Sequence, residues 1–218
     1  MQRVRFRASD GVELEGEIRE PDGQARGTAV LCHPHPQHGG SKDHPLLWAI
    51  RNDLASRGLS VLSFNFRGIM GSEGEHAGGI EEVEDARAAV DRVRRETSGP
   101  TFMAGWSFGA NVALREAVDD ERVAALALVG MPLAESSVAL PDIPDRERLS
   151  GFGRPMLLVA GEADQFCPVP DLRALARRIP GAVVLVVAGT DHFFWKHESD
   201  VAERIGEFAE HSLFGDAN

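Results

Sequence analysis

Gly105-Trp106-Ser107-Phe108-Gly109 sets a serine between two glycines, each two residues away. That spacing suits a nucleophile on a sharp strand-to-helix turn. The serine backbone is strained there, and side chains at the flanking positions would collide with neighbouring chain. The plainer reading is a glycine-rich connection whose serine caps a helix. A serine hydroxyl is a weak nucleophile, so it needs a base, and the base needs an acid to orient it. Asp164 in "VAGEADQFCP" and His192 in "VVAGTDHFF" each follow a later apolar run of strand length. They come in the order serine, acid, histidine that doubly wound sheets use. Glu162 competes for the acid role but sits at the strand end itself. Asp191 adjoins His192 and at best shapes its turn. Singly, Asp164 reads as a turn cap and His192 as a surface histidine. Jointly with Ser107 they read as a triad.

Four of the eight histidines (His33, His35, His38 and His44) fall in "CHPHPQHGGSKDH". His-x-His at a strand end is also a metal-ligand pattern, which makes a metal-dependent hydrolase the rival reading. That reading leaves the glycine-flanked serine unexplained, and no acids stand out as further ligands, so no metal and no cofactor are expected. The backbone offers another use for the loop. Pro34 and Pro36 have no N–H, so His35 is the residue of "PHP" that can donate. The loop follows a strand at the place where a second oxyanion donor belongs. The backbone N–H groups of His35 and Phe108 are therefore assigned to the oxyanion hole, and the His33 ring to structure. Trp106, Phe166, Phe193 and Phe194 flank these positions and are candidates for the substrate pocket, with core packing as the alternative.

These residues need a scaffold that brings strand ends together. "VRFRAS", Asp10-Gly11 and "VELEGEI" read as a β-hairpin. Then strand and helix alternate: "TAVLC", a helix over 45–58, "LSVLSFNF", an amphipathic helix over 80–96, "TFMAGW", a helix over 109–118, "VAALALVG", "PMLLVAG", a helix over 169–179, "AVVLVVAG" and a closing helix over 197–214. The alternation predicts an α/β fold with a mostly parallel eight-stranded sheet, helices on both faces and the site along one sheet edge.

The chain has 218 residues, 43% of them hydrophobic, which suits a single domain over 1–218. Its formal net charge of -11 argues against nucleic acid and anionic membrane as partners. The expected partner is a small-molecule ester, with the chain a monomer or homodimer. Cys32 and Cys167 form no framework and read as buried thiols, consistent with a reducing compartment. "MQRVRFR" has no continuous apolar core, and the longest apolar runs are strand length, so the expected location is cytoplasmic.

Together "CHPHPQHGG", "NFRGIMGSEGE" (65–75), "GWSFGA", "GEADQFCP" and "GTDHFF" carry a resemblance over almost the whole chain to the α/β-hydrolase superfamily. "HPHP" takes the place of a His-Gly-x-Pro oxyanion stretch, and Ile69-Met70 stand where one residue is usual. More narrowly, the chain looks like the small capless bacterial members with the "HPHP" start. The resemblance implies the fold, the triad and a serine hydrolase. The segment 131–154 is too short for a cap domain and reads as a flap, leaving a shallow, open site for short acyl chains. Relatives that cleave dienelactones carry cysteine at the elbow, whereas this chain has Ser107. The expected function is a carboxylesterase. A peptidase or amidase on the same triad is the alternative, and a non-catalytic binding protein of the same fold is the rival from another class. Acidity near the site (Glu73, Glu75, Glu162) would disfavour anionic substrates, unless those carboxylates are merely solvated.

Overall fold

The computed structural model describes residues 1–134 and 140–215. The opening alternation folds as expected. Strand β1 (Gln2–Arg7) pairs antiparallel with β2 (Glu13–Arg19), turning at Gly11, whose φ of 92° a side chain would resist. Strands β3 (Gly27–Cys32), β4 (Leu59–Phe64), β5 (Thr101–Trp106), β6 (Val123–Val129), β7 (Met156–Gly161) and β8 (Val183–Val187) complete an eight-stranded sheet. Its order is β1-β2-β4-β3-β5-β6-β7-β8, with β3 to β8 parallel and β2 antiparallel to β4.

The crossovers are helices α1 (Pro45–Ser56), α2 (Glu82–Val93), α3 (Phe108–Asp119) and α5 (Val169–Ala176), with a short α4 (Arg146–Gly151) before β7, and α6 (Glu198–Phe214) follows β8. Central strands carry apolar residues on both sides, because helices cover both faces of the sheet. In β5, Met103 joins the cluster with α2, α3 and α5, while Phe102, Ala104 and Trp106 join the cluster with α1 and α6. The helix expected over 80–96 is shorter at both ends. Before it, Gly78 and Gly79 take positive φ, and the Glu82 carboxylate accepts from the Ala77 and Gly79 N–H groups, so that stretch is a capped loop.

Register decides where the chemistry goes. Cys32 pairs with Gly105, Trp106 with Val129, and Gly161 with Val187. The loops leaving β3, β5, β6, β7 and β8 therefore emerge along one edge, as expected for an open α/β sheet. The segment read as a flap contains α4 near its end, and its residues 135–139 lie outside the described residues.

Candidate active site

Ser107 sits between β5 and α3 with φ 56° and ψ -119°, a conformation that costs a non-glycine residue about 1–3 kcal/mol. Packing holds it there. A Cβ on Gly105 would lie 2.2 Å from the Gly109 carbonyl oxygen, and one on Gly109 would lie 2.3 Å from the Cys32 carbonyl oxygen. Both contacts are with backbone, which has no rotamer by which to move away. The strand and helix thus close to a distance that only glycine allows, and the Ser107 side chain is thrust from the turn.

The His192 ring lies beside it. Its Nε2 is 2.9 Å from Ser107 Oγ, and its Nδ1 is 3.0 Å from each Asp164 oxygen. Since carboxylate oxygens accept, Nδ1 donates and Nε2 is left to accept from the serine hydroxyl. Asp164 Oδ1 also accepts from the Phe166 and Cys167 N–H groups, each at 2.9 Å, which fixes the carboxylate in its loop. All three residues are buried. Sequence reasoning missed Gly130, just beyond β6. Its φ is 53°, and a Cβ there would meet His192 Nδ1 at 3.1 Å and Asp164 Oδ2 at 3.2 Å. The glycine ending "VAALALVG" was the signal for it. The Trp106 indole N–H donates to the His192 carbonyl at 3.2 Å, tying the histidine loop to the elbow strand. The competing acids are occupied elsewhere: Glu162 accepts from the Gly189 N–H, and Asp191 from the Phe193 N–H.

The two amides assigned to the oxyanion have no acceptor among the hydrogen bonds of the described residues. Phe108 opens α3, so its N–H is one of the four a helix leaves unsatisfied. His35 lies in the loop between β3 and α1, which is folded tightly enough that a Cβ on Gly40 would stand 2.1 Å from the Pro34 carbonyl oxygen. The buried His33 ring holds this loop down. Its Nε2 accepts from the Phe66 N–H at 3.0 Å, so its Nδ1 carries the proton toward the Pro34 carbonyl oxygen at 2.7 Å. Burial pushes the pKa of His33 down to about 4, which keeps the ring neutral and able to hold both bonds. His35 is also lowered to about 4, first by burial and then by the neighbouring His38 and His76 rings. Among the described residues no group of three or more His, Cys, Asp or Glu is placed to hold a metal ion. Cys32 and Cys167 are free and buried, and burial pushes both thiols up, out of the range of a reactive thiolate.

A cavity of about 360 Å³ opens over Ser107 and His192. Trp106, Phe166 and Phe193 line it as expected, but Phe194 does not: it is fully buried in the core cluster with α1 and α6. The cause is a left-handed turn, with φ 55° at Phe194 and 69° at Lys196, which swings Phe194 inward and leaves Trp195 at the cavity. His44 is a second lining residue that the sequence reading left unassigned. Its ring packs 4.2 Å from Trp106, centroid to centroid, and its Nδ1 caps α1 by accepting from the Leu46 N–H. A serine bonded to an imidazole that is bonded in turn to a carboxylate can surrender its proton as it attacks a carbonyl.

A family model described as an alpha/beta hydrolase domain matches residues 27–211. An alpha-beta serine hydrolase homologue from Coxiella burnetii is 29% identical, with 94% of this chain and 96% of that one covered and a TM-score of 0.82. A serine hydrolase without lid from Xanthomonas campestris is 23% identical, with 99% and 96% covered and a TM-score of 0.82. An esterase from Pyrococcus furiosus is 19% identical, with 97% and 92% covered and a TM-score of 0.83; these two likenesses bear on the fold. With its mostly parallel sheet and its short 131–154 segment, the chain belongs to the α/β-hydrolase family, as a hydrolase without a full cap domain.

Proposed function

We propose that the protein is a serine carboxylesterase acting on small, uncharged esters. The observation that carries this reading is the unbroken chain of hydrogen bonds from Asp164 through His192 to Ser107 Oγ, on the floor of a cavity. In the proposed reaction Ser107 Oγ attacks the ester carbonyl while His192 Nε2 takes its proton. Asp164 holds the imidazole and stabilises its cation. The oxyanion is bound by the N–H groups of His35 and Phe108. His192 then protonates the leaving alcohol, and water, activated by the same ring, hydrolyses the acyl-enzyme. The sequence requires no cofactor for any of these steps. The cavity volume favours compact acyl groups over long fatty chains.

A fluorophosphonate probe and the hydrolysis of p-nitrophenyl esters from acetate to decanoate test the reading together. The expected result is stoichiometric labelling of Ser107, turnover of the short esters, and a loss of about 10³–10⁶-fold in kcat for Ser107→Ala. Turnover that survives in Ser107→Ala would move the chemistry to another group. Activity abolished by chelator and restored by metal would favour the histidine-rich loop. A folded protein that neither reacts with the probe nor turns over would be a binding protein on this fold.

A further inference from the structure

The lining of the cavity is unusual for this chain in two respects. Charged residues make up 26% of the sequence, yet among the described residues no lysine, arginine, aspartate or glutamate lines the cavity. A substrate carrying a charge would leave water there and gain no counter-ion, which disfavours it. The second respect is the kind of apolar surface. Aromatic residues are 6% of the chain, yet two of its three tryptophans and three phenylalanines line this cavity. Branched aliphatics are plentiful in the two cores, but among the described residues Leu140 is the one aliphatic non-proline side chain of any length that lines the cavity.

The rings form two packed walls of the cavity. In one, His44 packs 4.2 Å from Trp106 and 5.8 Å from Trp195, at interplanar angles of 55° and 43°. In the other, Phe166 and Phe193 stand edge-on to His192 at 4.8 and 5.6 Å. Trp195, Phe193 and Phe166 line the cavity and are 54%, 40% and 36% exposed, so none of the three is sealed in the core. An alkyl group packed against the walls gains from area alone. A flat ring gains the same area and also offset or edge-to-face contacts, each equivalent to about two- to tenfold in binding. Burial lowers the pKa of His44, so at neutral pH its ring is an uncharged member of the wall. Room is sufficient: a cavity of about 150 Å³ holds a benzene ring, and this one is about 360 Å³.

We propose that the cavity beside Ser107 selects uncharged esters that carry an aromatic ring, on the acyl or the alcohol side, with Trp195 and His44 as specificity-determining residues. The proposal rests on the carboxylesterase reading and names the substrate class of that site.

The test compares ring with saturated ring at constant shape. Methyl 3-phenylpropionate is set against methyl 3-cyclohexylpropionate, and benzyl acetate against cyclohexylmethyl acetate, with kcat/KM measured by pH-stat titration. p-Nitrophenyl esters are unsuitable, since their leaving group is itself aromatic. In at least one pair the aromatic ester is expected to be favoured about fivefold or more, and the pair that shows it identifies the side that enters the walls. Methyl 3-(4-carboxyphenyl)propionate is expected to fall about a hundredfold below its uncharged parent. Trp195→Leu, at a half-exposed position, is expected to bring the aryl-to-cyclohexyl ratio close to one. His44→Asn, which keeps an acceptor to cap α1 but removes the ring, should lower the ratio as well. Fluorophosphonate labelling of Ser107 in each variant shows that its site is folded. A ratio near one for both pairs in the wild type, with Ser107 labelled and the esters cleaved, overturns the aromatic preference and leaves the esterase standing. So does a ratio that both variants leave unchanged. Absence of both labelling and turnover overturns the esterase reading, and this proposal with it.

Discussion

Asp164 accepts from two backbone N–H groups and from His192 Nδ1, so its position depends on its loop as much as on the histidine. Asp164→Asn keeps the shape but offers an amide N–H that the Nδ1–H cannot bond. The ring is then driven toward the tautomer in which Nε2 carries the proton and can no longer accept from Ser107. We expect kcat to fall about 10⁴-fold while fluorescence-monitored unfolding shows a Tm close to wild type. A loss below about tenfold would mean that Asp164 does not orient the base. At this scale the approach of Asp164, His192 and Ser107 was legible from order and strand context alone. The His33 latch was not. Its two partners, Pro34 and Phe66, lie one and 33 residues away, and no local pattern reports a bond to Phe66.

At the scale of elements, the approach of β5 and α3 to β3 sets the turn that carries Ser107. Gly109→Ala tests that approach, because two effects oppose each other there. Alanine in a helix is better than glycine by about 1 kcal/mol. Its Cβ, however, would have to displace the Cys32 carbonyl, 2.3 Å away, and overpacking of this kind costs about 1–3 kcal/mol or more. The clash should win because the obstacle is backbone. We expect Gly109→Ala to lower Tm by several degrees and to reduce labelling of Ser107 by the fluorophosphonate. A Tm at or above wild type would show that helix and strand can separate freely. The "FRGIMGSEG" loop belongs to this scale as well. Arg67 is buried and bonds to Asp85 and Asp10, while Asn65 and the Gly71 N–H bond to Glu15. The loop fastens β4 to the hairpin, so the resemblance it carries is one of architecture. Breaking such a buried pair from one side costs about 3–5 kcal/mol, because the other charge is left unpaired.

The whole molecule answers pH through two buried groups whose shifts run in opposite directions. Glu116, on α3, is fully buried and paired with Arg87 at 3.0 Å; burial, with Asp120 beside it, raises its pKa to about 7. A carboxyl whose folded pKa lies above its unfolded value near 4.5 adds stability at low pH and loses it as pH rises toward 7. His33 runs the other way. Held at about 4 in the fold against 6.5 unfolded, it contributes above pH 6.5, and that contribution is lost as pH falls toward 4. Glu116→Gln removes the first effect, so the Tm difference between variant and wild type should shift in the variant's favour between pH 5 and 8. Differential scanning calorimetry in buffers of constant ionic strength measures this, and a difference independent of pH would refute it. Among the described residues no helix is long and apolar enough to cross a membrane.

The sequence by itself determined the alternation of strands and helices, the elbow with its two glycines, and the order of Ser107, Asp164 and His192. The alternation shows in periodicity, the elbow in the spacing of its glycines and the order in the chain itself, although the contact that makes Gly109 necessary comes from the Cys32 carbonyl of β3. The tertiary structure alone decided which aromatic residues face the cavity. "HFFW" contains no signal that distinguishes Phe194 from Trp195. The left-handed conformation at Phe194 and the space between α1, α6 and the sheet send Phe194 into the core, and Trp195 is left at the mouth of the site. A side chain's direction in an irregular turn is set by what packs around it, and at Phe194 the packing comes from helices about 140 residues apart in the chain, roughly two thirds of its length.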